Sequence, residues 1–415
     1  MTEPVSLEDL DPNIAETLKS LHIEDGLEGL SEADIQAGRQ EKDALSQWQA
    51  ESFTTLEVIR QQLLSECRST SSPEIAEIIA SVARFDGDDD FVLPELRAIS
   101  QDILSRISPL PDTSRGETVS LVLSAHIKPL FLPTQHPMVN QETGRRLPVY
   151  EGSRAVYPEF HDDQVWKTEG RGCWNTLRWI VNQLQRNDIE SLWPLLIPPL
   201  MTLLDDHQTI FRIKGIQALR GLLERVDAKL LERTGIASLF STSLLNSISR
   251  STDPEISLLL PLASGTLQRL IELTTEVGSR ERFDRLCECL STGVVGGVWI
   301  FAGEKLKAME ASIETLLPLV DALKIGCCRY LKALIPQLTE VLAPKPSRPH
   351  STRLINLSAE CLVRIIILCK PRIHAWKDII LDALLRSWVW VREDADLEKP
   401  GKHILPLAEV RRYLK

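Results

Sequence analysis

Asp205, Asp206 and His207 place two carboxylates and an imidazole side by side between two apolar segments. Carboxylates beside an imidazole can bind a metal ion or transfer protons, so this trio is the first place to look for chemistry. Such sites need further groups that converge from other parts of the fold, and the neighbouring sequence supplies none. We therefore interpret the two aspartates as structural residues and assign them no catalytic or metal-binding role.

A second acidic cluster, FDGDDDF, has the spacing of a calcium loop that starts at Asp86. An EF-hand needs Gly at position six and a bidentate Glu at position twelve. This sequence has Phe91 and Arg97 at those positions. The mismatch argues against a calcium loop, and the sequence predicts a solvated acidic turn instead.

The glycine-rich segment STGVVGGVWIFAGEKL, at 291–306, lacks the Gly-Lys-Ser/Thr of a phosphate-binding loop. Because glycine permits backbone dihedral angles that other residues avoid, the segment predicts a tight turn between helices.

The eight cysteines include no C-x-x-C pair, so their spacing does not indicate zinc, and we expect most of them to be buried thiols. The chain also lacks G-x-S-x-G, H-E-x-x-H and G-x-G-x-x-G. We predict a protein that is not an enzyme and that uses no cofactor and no metal. An enzyme with a dispersed active site is an alternative that the sequence leaves open.

The elements that carry these residues are helices. From Trp166 to Val391 apolar residues recur at the helical period in short segments bounded by Pro, Gly, Ser or Asp, without the alternation of strands. Short paired helices joined by polar turns are typical of HEAT and armadillo repeats. The predicted fold class is all-α, a HEAT/armadillo-like α-solenoid of stacked antiparallel helix pairs.

One long segment interrupts the helical pattern, at 132–165, with four prolines and mixed charge. Loops of this length are functional, disordered or linkers, so we place a boundary there. The predicted organisation is an acidic N-terminal segment at 1–30, N-terminal helical repeats at 31–131, the long loop at 132–165, a C-terminal HEAT-repeat region at 166–391 and a tail at 392–415.

The charge is acidic and unevenly spread. The formal net charge of the 415 residues is −11, and the first 50 residues hold twelve acidic and three basic side chains. A binder of nucleic acid presents a basic face, so we expect no direct nucleic acid partner. The N-terminus does not resemble a signal peptide and no apolar run reaches the ~20 residues of a membrane span, so we expect a soluble intracellular protein without a membrane partner.

The segment PPLMTLLDDHQTIFRIKGIQALRGLL has the pattern of one HEAT repeat. Pro198 and Pro199 remove backbone donors and bend the first helix. Asp205 or Asp206 is expected to cap the second helix, Arg212 to reach an aspartate, and Gly215 to let the helices approach. The predicted buried stripe of the second helix is Ile210, Ile213, Ile216, Leu219, Leu223 and Val226.

Tryptophans cluster near the end of the helical region, at Trp376, Trp388 and Trp390. Core packing explains many tryptophans, but Trp388 and Trp390 are two residues apart on one helix and cannot both face the same core. Tryptophan is enriched where proteins bind each other. We predict that the helix at 372–391 contributes to the main partner interface, with Trp376 and Lys377 at its start.

The order of segments from Trp166 to Trp390 resembles the smaller HEAT-repeat subunit of the Triple-T (TTT) co-chaperone complex. The resemblance rests on WPLLIPPLMTLLDD, RIKGIQALRGLLE, LLERTGIASLF, YLKALIPQLTEVL and HAWKDIILDALLRSW in that order. The part through Gln164 resembles the family weakly. Within the fourth segment the resemblance adds Tyr330 and Lys332 to the candidate partner-binding residues.

The resemblance implies a scaffold that assembles with two larger helical-repeat subunits of the same complex. It implies that the complex works with the heat-shock chaperone machinery to mature phosphatidylinositol-kinase-related kinases of the mTOR and ATM class, with this subunit contacting kinases and chaperones indirectly. It implies roles in nutrient signalling, the DNA-damage response and telomere maintenance, in the cytoplasm and nucleus. A HEAT-repeat adaptor for nuclear transport or for another protein assembly is the alternative.

Overall fold

The computed structural model describes residues 39–65, 71–148, 164–250, 253–301, 303–343 and 351–395. The predicted acidic segment at 1–30 lies outside these ranges, and the predicted tail at 392–415 lies almost entirely outside them. The α-helices are α1 Arg39–Ser65, α2 Ser72–Val82, α3 Pro94–Ile107, α4 Arg115–Leu121, α5 Lys128–Phe131, α6 Cys173–Gln183, α7 Arg186–Leu204, α8 Thr209–Leu223, α9 Ala228–Thr234, α10 Ile236–Ile248, α11 Ile256–Thr274, α12 Arg280–Cys289, α13 Trp299–Phe301, α14 Leu306–Leu323, α15 Leu331–Leu342, α16 Thr352–Leu368, α17 Lys370–Ile373 and α18 Lys377–Ala395.

Tighter and wider helical turns join several of these helices. Three 3₁₀ segments lie at Ala83–Phe85, Lys324–Tyr330 and His374–Trp376, and two π-helical segments lie at Val122–Ile127 and Leu290–Val298. Within the described ranges the β-structure is one isolated bridge between Val139 and Arg146. The prediction of an all-α fold built from stacked helix pairs is confirmed.

The chain forms two compact units, Met1–Ile236 and Ala237–Lys415. This division falls later than the loop at 132–165, which we used as the boundary. In the first unit, helices from both sides of that loop pack together: α2 and the π-helical turn contact α6, and α5 contacts α7. These contacts join helices from both sides of the segment into one folded unit.

In the first unit, α8 lies against both α6 and α7. Helix α7 contains Pro194, Pro198 and Pro199, and its helical structure continues through them to Leu204. Its buried side chains include Leu196, Ile197, Leu200 and Met201. The prolines remove helical hydrogen bonds, and burial of this apolar face offsets their cost.

In the second unit, α14 packs between α11 and α16, and α15 contacts both α16 and α18. Among the described residues, helix α11 is the one long and apolar enough to cross a membrane. Its side chains Leu259, Leu260 and Leu267 are almost fully buried inside the unit. The apolar length of α11 is therefore accounted for by its position in the core.

The tight turn expected in the glycine-rich segment is confined to its end, where Gly303 and Glu304 form a turn before α14. Residues Leu290–Val298 continue α12 as a π-helix and lead into α13. A Cβ placed at Gly293 would lie 2.3 Å from Cγ2 of Ile248, so this glycine lets the wide helix approach α10. The glycine serves close packing rather than a chain reversal.

Candidate functional site

The two aspartates of the α7–α8 turn bind different partners. The carboxylate of Asp206 pairs with Nζ of Lys167 at 2.9 Å, and both side chains are buried. The carboxylate of Asp205 accepts from Nε2 of His136 at 2.9 Å. Arg212, on α8, donates from Nε to the backbone carbonyl of Asp206. These carboxylates hold structural partners and do not converge on a shared metal or substrate position.

Asp206 also shapes the start of α8, although it lies two residues before the N-cap and does not cap the helix itself. Its Oδ1 accepts from the backbone N of Gln208 at 2.9 Å, and Gln208 is the residue at the N-cap position. The carboxylate therefore forms an Asx turn that leads the chain into the helix.

Helix α8 buries most of the predicted stripe: Ile216, Leu219 and Leu223 are fully buried, and so is Val226 just after the helix. Ile210 is 44% exposed, whereas Arg212, Gly215 and Leu222 are buried. A Cβ on Gly215 would lie 2.9 Å from Cβ of Leu203 and 3.0 Å from the backbone N of Leu204. Gly215 therefore lets α7 and α8 pack closely at that point.

The described part of the long loop, 132–148, lies along α7. The indole Nε1 of Trp193 donates to the carbonyl of Gly144 at 3.0 Å. The backbone N of Arg146 donates to the carbonyl of Thr234, at the end of α9, at 3.0 Å. Together with the bond from His136, these contacts hold 132–148 against the repeat, and residues 149–163 lie outside the described ranges.

The acidic cluster FDGDDDF is a turn whose Asp88 and Asp90 are exposed as expected, whereas Asp89 is buried at a polar centre, which was not expected. Asp89 is 7% exposed. It accepts from the indole Nε1 of Trp174 at 3.0 Å and from Nδ2 of Asn175 at 2.6 Å, and Nζ of Lys214 lies 3.3 Å away. Lys214 also pairs with Asp88. One short turn thereby ties α6 and α8 together.

Aromatic rings surround this polar centre. Phe211 meets Trp166 edge to face with ring centroids 4.8 Å apart, and Trp174 with centroids 5.0 Å apart. Nζ of Lys167 lies 5.0 Å from the centroid of Phe211 and 5.1 Å from that of Trp166. The cation–π contacts add to the ion pair with Asp206, so the buried ammonium has both a carboxylate and two ring faces. In the first unit the tryptophans serve the core.

In the part of the chain that the structure describes, no three His, Cys, Asp or Glu residues are arranged to hold a metal ion. Six of the seven described cysteines are buried and Cys328 is half-buried; Cys67 lies outside the described residues. Burial raises the pKa of Cys173 to about 12 and that of Cys289 to about 11. Thiols with such pKa values remain protonated near neutral pH and are poor nucleophiles.

The predicted partner-binding residues of the second unit are spread over two helical segments. Lys377 is exposed at the start of α18, and Trp376 before it is half-buried. Trp388 is 42% exposed. The side chain of Trp390 lies outside the described part of the chain. The packing of α18 determines which of its side chains are exposed to solvent.

Helix α18 buries Ile380, Ala383 and Ser387, residues three and four apart, and α18 packs on α15. Other apolar side chains of α18 remain exposed: Leu385 by 62% and Val389 by 55%. Together with Trp388 they form an apolar patch, which we call the α18 patch. Sequence reasoning selected Trp388 but missed Leu385 and Val389, which the i, i+3, i+4 spacing of 385, 388 and 389 could have shown.

Tyr330 and Lys332 lie at the start of α15. The hydroxyl of Tyr330 is half-buried and donates to the carbonyl of Cys287 at 3.3 Å, so it is committed to an internal contact. Lys332 is exposed. Lys332 therefore presents its side chain at the surface, whereas the hydroxyl of Tyr330 is bonded inside the unit.

A comparison with known protein families gives a match that covers many of these features. The model of the Tti2 family matches residues 78–346. The chain belongs to the Tti2 family. The match includes the polar centre, the α7–α8 repeat, Tyr330 and Lys332, and it ends before α16 and the α18 patch. It also begins well before Trp166, so the family relationship extends into the part that the sequence linked to it weakly.

Among solved structures, the chain is similar to Kap121p in its crystal structure bound to RanGTP, with 13% identity and a TM-score of 0.40 over 98% of this chain; the chain spans 40% of the length of that protein. It is also similar to an engineered protein, with 13% identity and a TM-score of 0.31, over 97% of this chain and 98% of the other.

Membership of the Tti2 family supports a role as a subunit of the TTT co-chaperone complex. It agrees with a scaffold that acts through protein contacts rather than by catalysis.

Proposed function

We propose that this protein is a non-catalytic scaffold subunit of the TTT co-chaperone complex. In this role it assembles with two larger helical-repeat subunits, and the complex works with the heat-shock chaperone machinery to mature kinases of the mTOR and ATM class. Kinases and chaperones are reached through the complex rather than through this subunit alone. Membership of the Tti2 family is the observation that carries the proposal.

The α18 patch is the surface we assign to partner contact. Leu385, Trp388 and Val389 lie on the last helix that the structure describes, and each is more than 40% exposed there. Lys377 is exposed at the start of the same helix. An apolar centre with a charged rim is the usual composition of a stable protein interface.

The test of the surface is a double substitution, Leu385→Asp with Val389→Asp, in the full chain. Both side chains are more than half exposed, so the fold should keep its melting temperature, while the buried centre of the interface would gain two unpaired charges. Recovery of the two larger subunits with the tagged variant should fall at least tenfold. The control is Val277→Asp, an exposed apolar residue in the α11–α12 turn at 89% exposure, which should leave recovery unchanged.

Unchanged recovery of both subunits with the double variant would remove the α18 patch from the proposal. The Trp376→Ala and Lys377→Glu pair then tests the start of the helix separately. If these variants all bind normally, the interface lies elsewhere on the chain.

The wider function has its own test. Depletion of this protein should lower the steady-state amounts of the mTOR- and ATM-class kinases without lowering their messenger RNA, and re-expression of the wild-type chain should restore them. The double α18 variant should fail to restore them. Recovery of nuclear-pore proteins and a small GTPase, instead of helical-repeat subunits and kinases, would favour a transport adaptor. Cell fractionation should find the protein in both cytoplasm and nucleus.

A further inference from the structure

The α18 patch continues into an acidic stretch, Asp378 and Asp382, on the same helix. Both aspartates are exposed, and they lie seven and three positions before Leu385. Residues three and four positions apart share one face of a helix, so the stripe runs from the aspartates through Leu385 to Val389. This face of α18 is therefore acidic toward the start of the helix and apolar toward its end.

The basic residues of α18 leave the acidic stretch accessible. Arg386 pairs with Asp382 at 2.9 Å, and both side chains are at least 60% exposed. Ion pairs with this much exposure contribute little to stability. Lys377 is next to Asp378 in sequence, and neighbouring residues point to different sides of a helix. A basic partner can therefore reach both carboxylates.

The sequence that follows α18 has the opposite charge. Residues 399–415, which lie outside the described ranges, hold five lysines and arginines and one glutamate. With histidine neutral their net charge is +4, in a chain whose net charge is −11. Three of the basic residues form what we call the basic cluster: Arg411, Arg412 and Lys415. The chain itself thus connects a basic cluster to the acidic stretch of α18.

Apolar residues precede and accompany this cluster in the sequence. Leu407, Val410 and Leu414 have the spacing of one face of a helix, and Pro406 stands where the first turn of such a helix accepts a proline. The order along 404–415 is apolar and then basic, whereas the order along α18 is acidic and then apolar. Antiparallel packing would therefore match apolar with apolar residues and basic with acidic ones.

The connection is long enough for the chain to return along α18. From Ala395, the last residue of α18, to Ile404 there are nine peptide steps, which span up to about 30 Å. Leu385 lies about 15 Å before the end of the helix, and packed helices are about 8–10 Å apart. Pro400 and Gly401 within the connection are a turn signal.

Attachment to the same chain favours this occupant over a second copy of the protein. A short linker holds its two ends at an effective concentration of about millimolar. A second copy at micromolar concentration would compete poorly with the attached segment, even through identical contacts.

We propose that residues 404–414 fold back on the α18 patch in the free protein. Leu407 and Val410 then lie against the patch. The basic cluster lies beside Asp378 and Asp382. The larger subunits would reach the patch only after the segment has left it, and this last statement alone rests on the proposed function.

The test replaces Val389 of the full chain by the photo-crosslinking residue p-benzoylphenylalanine. Trypsin then releases the peptide 403–411, which contains Leu407 and Val410, and mass spectrometry should find it linked to position 389. The same replacement at Val277, which is 89% exposed, is the control and should not capture this peptide. Absence of the link from position 389 would overturn the proposal.

A mixture of unlabelled and isotopically labelled chains identifies the occupant of the patch. Links within chains of one isotope support the fold-back. Links between chains of different isotope would show that a second copy occupies the patch and would overturn it.

Charge variants test the antiparallel placement. Arg411→Asp with Arg412→Asp should lower the yield of the link about threefold, because the acidic stretch would then face like charges. The matched control is Lys399→Asp with Lys402→Asp, which makes the same change of charge within the connection and should have a smaller effect. Equal losses in the two variants would contradict the placement of the basic cluster beside the acidic stretch.

Leu407→Asp with Val410→Asp separates the fold-back from the proposed function. The yield of the link should fall about tenfold, because charged side chains do not pack on an apolar surface. Recovery of the two larger subunits should rise, because the patch is free. An unchanged yield would overturn the fold-back. If the link is lost and recovery stays the same, the fold-back is supported and the competition with the larger subunits is wrong.

Discussion

Replacing Asp89 by Ala should destabilise the first unit by about 3–5 kcal/mol, the cost of removing one partner from a buried charged pair. The substitution takes an acceptor from the indole of Trp174, the amide of Asn175 and the ammonium of Lys214. Asn175 also donates to the carbonyl of Arg84 and Lys214 keeps Asp88, so each of these retains one partner. The indole loses its hydrogen bond outright, which costs about 1–3 kcal/mol.

The substitution Asp89→Asn removes the negative charge of the side chain and nearly keeps its shape. One side-chain oxygen can still accept from the indole of Trp174, but the new amide group faces the amide of Asn175, which is itself a donor. We expect a loss of about 2 kcal/mol from the missing charge and the one broken hydrogen bond.

The measurement is equilibrium denaturation in urea, followed by tryptophan fluorescence and calorimetry, with the transitions of the two units fitted separately. Asp90→Ala is the matched control, because Asp90 belongs to the same turn and is exposed. It should change the free energy of unfolding by less than about 0.5 kcal/mol. If Asp89→Ala and Asp90→Ala are equally mild, the turn is solvated after all and the buried polar centre is wrong.

Two further predictions concern other residues of the two units. Gly215→Val should destabilise the protein by about 1–3 kcal/mol because the new side chain meets α7. Gly265→Ala on α11 should be stabilising, because a Cβ there meets nothing within 4 Å and Ala favours a helix over Gly. The melting temperatures of both variants check this, and an unchanged melting temperature of Gly215→Val would mean that α7 and α8 are not in close contact. The hydrogen bond from Lys214 holds the pKa of Asp88 below its ordinary value of 3.8, so its contribution to stability is present above that pH and is lost as pH falls through the lowered pKa. The stability advantage of wild type over Asp88→Asn should therefore shrink in acid, and a difference that stays constant down to pH 2 would contradict the assignment.

The fold class could be predicted from the sequence because helical periodicity is repeated many times along the chain. The same local reasoning identified the prolines of α7 and the acidic turn that follows them. It also gave most of the buried stripe of α8, namely Ile216, Leu219 and Leu223, and was wrong for Ile210, which is 44% exposed. Ile210 lies in the first turn of α8, where a periodic pattern does not show whether a neighbouring element covers the side chain.

The polar centre could not be predicted because its members are distant in sequence. Asp88 and Lys214 are separated by 126 positions, and no spacing rule joins them. A run of four acidic residues within five positions normally favours solvent, so the burial of Asp89 becomes understandable only when Trp174, Asn175 and Lys214 converge on it. The α18 patch was partly predicted, since tryptophan drew attention to the helix while its packing on α15 decided which side stays open.

The distance between the acidic turn and Lys214 has a consequence for how the chain is made. During synthesis the turn leaves the ribosome more than a hundred residues before its lysine does. Until then Asp89 has no ammonium to bind, and the rings of Trp166 and Trp174 cannot close on Phe211. Nascent chains that stop between the two positions expose an aromatic surface around an uncompensated carboxylate, the kind of surface that chaperones bind. The N-terminal helices of the first unit therefore complete their packing only after α8 has been synthesised.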